Sequence, residues 1–135
     1  MARRRAILAL SLLAALAATA AVAQPADQGA YQALNNLTGH ITRVWRAPCD
    51  TEHGRLSHID IRFTLSLNGR VSDGPTWTNR SGDPDEIKAA DAAIAAVNQG
   101  QPYGDLPDGL YNVPISITFD AETACSGRDP RTPHL

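Results

Sequence analysis

From Ile59 to Leu67, apolar and polar residues alternate without a break: Ile59, Ile61, Phe63, Leu65 and Leu67 against Asp60, Arg62, Thr64 and Ser66. Only extended backbone puts every second side chain on one side, so this run predicts a strand with one face to bury and one face in water. Asn68-Gly69 follows at once, and both residues tolerate the positive φ that a tight hairpin turn demands. Val71 to Trp77 then reads as the returning strand. Gly74 and Pro75 interrupt it and make it an edge strand, bulged or broken there. A second clean alternation runs from Tyr111 to Phe119, with Tyr111, Val113, Ile115, Ile117 and Phe119 on the apolar side. Strands with a single apolar face need cover on one side only.

Two helices supply that cover. Tyr31, Leu34, Leu37, Ile41, Val44 and Trp45 recur in steps of three and four, one face of a helix. Asp27 is its expected cap, and Pro48 stops it for want of an amide hydrogen. Ser81-Gly82-Asp83-Pro84 is a turn that leads into a second helix. There Asp83 is the cap, Pro84 suits the first helical position, and Asp85 and Glu86 favour the positive end of the dipole. Ile87, Ala90, Ile94 and Val97 form a narrow stripe on it, among alanines that permit close approach to a sheet. The stretch QPYGDLPDGL, residues 101 to 110, carries the chain from this helix to the last strand, stiffened by Pro102 and Pro107.

The element order is therefore α-β-β-α-β, and the fold class is α+β. The first two strands form a hairpin, and the second helix returns the chain so that the last strand runs antiparallel to the first. A purely antiparallel three-stranded sheet then has the order 2-1-3, with both helices packed on one face. Cys49 lies just before the first strand and Cys125 just after the last, so antiparallel neighbours bring them together. A disulfide there closes a loop of about 76 residues and contributes roughly 3–5 kcal/mol through the unfolded state.

Ahead of the fold, Arg3, Arg4 and Arg5 precede an alanine-rich apolar run ending in Ala21-Val22-Ala23, the layout of a secretory signal peptide over residues 1–23. Retention of that run as a membrane anchor is the other reading. Residues 24–30 are a short polar lead-in, 31–125 the folded domain and 126–135 a disordered tail with two prolines. Without the leader's three arginines, nine basic residues face fourteen acidic ones. An excess of acid without basic clusters argues against nucleic acid and against an anionic membrane surface as partners. Two cysteines in an exported chain favour a disulfide over free thiols.

Little points to catalysis. His53 and His58 lie near Glu52 and Asp60, but only His58 and Asp60 share a strand face, short of the three or four ligands a metal requires. They read as exposed polar residues, with no metal and no cofactor expected. No serine or cysteine has a base at an identifiable spacing, and GQPYGD lacks the lysine and following helix of a phosphate loop. Trp45, on the first helix stripe, reads as core; the role of Trp77 is open.

Taken in order, ALNNLTGHITRVWRAP (33 to 48), IDIRFTLSLNGRV (59 to 71), SGDP (81 to 84), AAIAAV (92 to 97) and PYGDLPDGL (102 to 110) resemble the TolA and TonB C-terminal domain family of bacterial envelopes, on the TolA side. The resemblance spans about residues 31 to 120. It implies a periplasmic protein-binding module without covalent chemistry, which pairs a segment of a periplasmic or outer-membrane partner with an open strand edge. On this chain that edge is the last strand, with Ile115, Ser116, Ile117, Thr118 and Phe119 as the partner-binding residues, and Pro114 is itself a residue for an edge. The expected state is a monomer or weak dimer that does not insert into a membrane once the leader is cleaved. An anchored envelope transducer and a small secreted enzyme or enzyme inhibitor are the alternatives. The seven residues between Ala23 and Tyr31 reach only roughly 25 Å, which speaks against an energy-transducing linker.

Overall fold

The computed structural model describes residues 25–126. The leader and the tail beyond Ser126 lie outside them, as do the expectations placed there. The elements in chain order are helix α1 (Pro25–Val44), strands β1 (His58–Leu65) and β2 (Val71–Trp77), helix α2 (Pro84–Gln99), strand β3 (Pro114–Asp120) and a short helix α3 (Ala121–Ser126), with single 3-10 turns at Gly54–Leu56 and Asp108–Leu110. The sheet is antiparallel in the order β2-β1-β3, as the alternation and the return by α2 required.

The strands bury one face. Ile59, Ile61, Phe63 and Leu65 of β1 and Ile115, Ile117 and Phe119 of β3 form a floor. Leu37 and Ile41 of α1, Trp45 just after it, and Ala89, Ala90, Ala93, Ala96 and Val97 of α2 close over it. Trp45 stands edge-on to Phe119, ring centroids 5.3 Å apart, and its indole N–H donates to the Ala89 carbonyl at 3.1 Å. A tryptophan can be fully buried here because its one polar atom is satisfied. Trp77 is also buried, its indole N–H donating to Asn79 Oδ1 at 2.7 Å.

Asp83 caps α2 as expected, accepting from the amides of Asp85 and Glu86. Cys49 and Cys125 are joined, their Cα atoms 5.6 Å apart and 76 residues apart in sequence. The 101–110 connection is held down by Tyr103. Its ring is buried, its hydroxyl donates to the Val97 carbonyl, and its amide donates to the Gly69 carbonyl at 2.8 Å. Gly69 has φ +78°, and a β-carbon there would collide with the Tyr103 backbone. The glycine thus serves both the turn and the docking of the proline-rich loop.

Several expectations are corrected. Helical backbone already runs through the 24–30 lead-in, from Pro25, which suits a first helical turn, so Asp27 lies within α1 rather than before it. Tyr31 and Val44, placed on its apolar face, are exposed. Leu67 is 72% exposed, because the hairpin tightens from Ser66, whose amide donates to the Arg70 carbonyl. β3 begins at Pro114, not Tyr111: Asn112 has φ 59°, which breaks the strand, and Val113 is exposed. Ile87 is exposed and Ile94 only half-buried, because α2 seats its alanines against the sheet. α3, with buried Ala121 and Cys125, was not anticipated.

Candidate functional site

The sheet has two edges, and they differ. Along β2 the pairing with β1 slips twice, between Arg62 and Thr64 and between Thr64 and Leu65, around Gly74 (φ +81°) and Pro75. An extended segment finds no continuous row of donors and acceptors there. β3, by contrast, keeps one register over its length, from Thr64↔Pro114 to His58↔Asp120.

The alternation of an antiparallel ladder decides which groups of β3 are free. The Ala121 amide donates to the Ser57 carbonyl, while the Asp60 carbonyl turns the other way and accepts from the Thr78 amide of the β2 side. Stepping by two, the backbones of Phe119, Ile117 and Ile115 face β1, and those of Thr118, Ser116 and Pro114 face outward. Ser116 pairs with Arg62 and Thr118 with Asp60 as non-hydrogen-bonded pairs, so their backbone groups lie outside the ladder to β1. Pro114 occupies an outward position, so its missing amide hydrogen costs the β1 ladder nothing.

The five residues named from sequence thus fall on one edge strand and divide in two. Ile115, Ile117 and Phe119 point their side chains into the core and their amides at β1, so they build the strand. Ser116 and Thr118 carry the free edge. Their side chains lie on the exposed sheet face, where the Thr118 hydroxyl donates to Asp60 Oδ1 at 2.8 Å.

Beside that edge lies a groove of about 490 Å³. Thr38, Thr42 and Arg43 of α1, with Trp45 just after it, form one wall, Thr118 and Asp120 of β3 the floor, and Thr123 and Ala124 of α3 the end. A segment paired with β3 would direct alternate side chains into it.

At the end of the edge, His58 faces Asp120 across the strands, Nδ1 to Oδ1 3.9 Å, and Glu122 stands beside them. Asp120 caps α3, accepting from the amides of Glu122 at 3.0 Å and Thr123 at 3.4 Å and from the Thr123 hydroxyl at 2.9 Å. The Thr123 hydroxyl foremost, then the Thr123 amide, the charge of His58 and the Glu122 amide, holds this carboxyl below its ordinary range. His53 lies elsewhere, its Nε2 3.2 Å from Oδ2 of Asp83. Sequence reasoning paired His58 with Asp60, its neighbour on one strand, and missed Asp120 and Glu122. A pairing of Cys49 with Cys125 already brings the start of β1 near the end of β3, but the individual partners follow only from the register.

Among the described residues no helix is long and apolar enough to cross a membrane. Set against known proteins, the chain matches no family model, no curated protein and no solved structure.

Proposed function

We propose that this chain is a protein-binding module of the bacterial periplasm that takes an extended segment of a partner as a fourth strand on β3. The observation that carries the reading is the contrast between the two edges: β2 shifts register twice, whereas β3 keeps its register and turns the backbones of Ser116 and Thr118 to solvent. Backbone hydrogen bonds would supply affinity, and the groove between α1 and α3 would select side chains. The resemblance to the TolA and TonB C-terminal domain family supports the same mode, and the disulfide suits an oxidising compartment.

The test separates backbone from side chain. Thr118→Pro removes an outward amide and fills the edge without touching the ladder to β1, whereas Thr118→Ala keeps the amide. The parent and the Ala variant are expected to retain one and the same partner when cross-linked in envelope extracts, and the Pro variant to lose it with unchanged circular dichroism. Equal retention by the folded Pro variant would overturn strand addition on β3.

A further inference from the structure

We infer that His58, Asp120 and Glu122 form a surface site for a divalent transition-metal ion, with Zn²⁺ the best fit. One ligand atom from each of the three lies within 4.8 Å of the others. The pairing is built into the sheet. His58 is opposite Asp120 in the β1–β3 register, and the ladder parity makes this a non-hydrogen-bonded pair, where cross-strand side chains come closest. Glu122 follows two residues on, in the first turn of α3.

Asp120 is held as a ligand carboxylate should be. Two backbone amides donate to Oδ1 and the Thr123 hydroxyl to Oδ2, which fixes the orientation of the carboxylate and leaves a lone pair on Oδ2 for a metal. His58 and Asp120 keep 56% and 37% of their side-chain surface, which leaves room for water to complete the coordination. One imidazole and two carboxylates suit zinc, and the two negative charges balance its own. Metal–ligand distances near 2.1 Å place tetrahedral ligands about 3.4 Å apart. The three ligand atoms, within 4.8 Å of one another, therefore close by up to about 1.4 Å, which an exposed imidazole and an exposed glutamate achieve by rotation. The amide end of α3 opposes a cation, but the helix has six residues and its first amides are already spent on Asp120. His53 with Asp83 offers two groups only and makes no comparable site.

The site shares Asp120 and Thr123 with the groove beside β3 but does not depend on strand addition, and it is tested with the metal alone. Zn²⁺ is titrated into the full-length oxidised chain by calorimetry, with the imidazole resonances followed by NMR. One equivalent is expected to bind, with the largest shifts at His58. His58→Ala and Glu122→Gln should each weaken binding roughly tenfold or more, and Thr123→Val, which removes an orienting hydroxyl, by about tenfold. His53→Ala should change nothing. Circular dichroism should be the same for all variants, since each altered side chain is exposed. Undetectable binding, or one-equivalent binding that survives His58→Ala, would overturn the inference.

Discussion

Tyr103 shows how one side chain can hold a loop that has no regular structure of its own. Its phenol is pushed up to about 12 by burial, the larger cause, with the backbone at Gly100 acting the other way. The unfolded phenol loses its proton near its ordinary value, so between about pH 10 and 12 the unfolded chain binds fewer protons than the folded one and stability falls as pH rises. Tyr103→Phe is expected to cost about 1 kcal/mol at neutral pH, for the lost bond to the Val97 carbonyl, and to flatten that alkaline decline. Urea unfolding at pH 7 and at pH 11 checks both. Gly69 is the other half of the contact. Gly69→Ala combines a positive φ with a collision against the Tyr103 backbone, and thermal unfolding should show a loss of at least about 2 kcal/mol.

Among the elements, β3 carries the functional argument, and its parity predicts opposite fates for adjacent residues. Proline at Ile117 deletes an amide directed at β1 and a buried side chain, and should destabilise by about 3 kcal/mol or more. Proline at Thr118 deletes an outward amide and should leave the unfolding midpoint nearly unchanged. That β3 is an edge could be read from Pro114. Which residues face outward could not, because parity depends on a register set by pairing with β1, some fifty residues away. The same limit hid the junction of His58 with Asp120 and Glu122. Errors in the elements have local causes. Leu67 and Val113 continue an alternation that the Ser66–Arg70 turn and the left-handed Asn112 cut short. The apolar stripe of α2 was drawn through Ile87 and Ile94, because large residues dominate a periodicity. A helix pressed close to a sheet instead buries its small residues, here Ala89, Ala93 and Ala96. α3 is too short to show a period at all.

At the scale of the molecule, element order, strand order and the Cys49–Cys125 pairing were all legible, because one-faced strands and short connections leave few arrangements. Cys49→Ala with Cys125→Ala should lower stability by about 4 kcal/mol, since the open chain regains the freedom of a 76-residue loop; guanidinium unfolding of the oxidised and double-variant proteins measures it. The clasp also has a mechanical meaning. Chain arrives at the sheet through Cys49 and leaves through Cys125, on the side where β1 begins and β3 ends. Tension across the sheet therefore cannot peel β3 from β1 one rung at a time from that corner. Unzipping is left only the opposite end, where Thr64 faces Pro114, and a small domain so fastened resists a tug that would open an unclasped sheet from either corner.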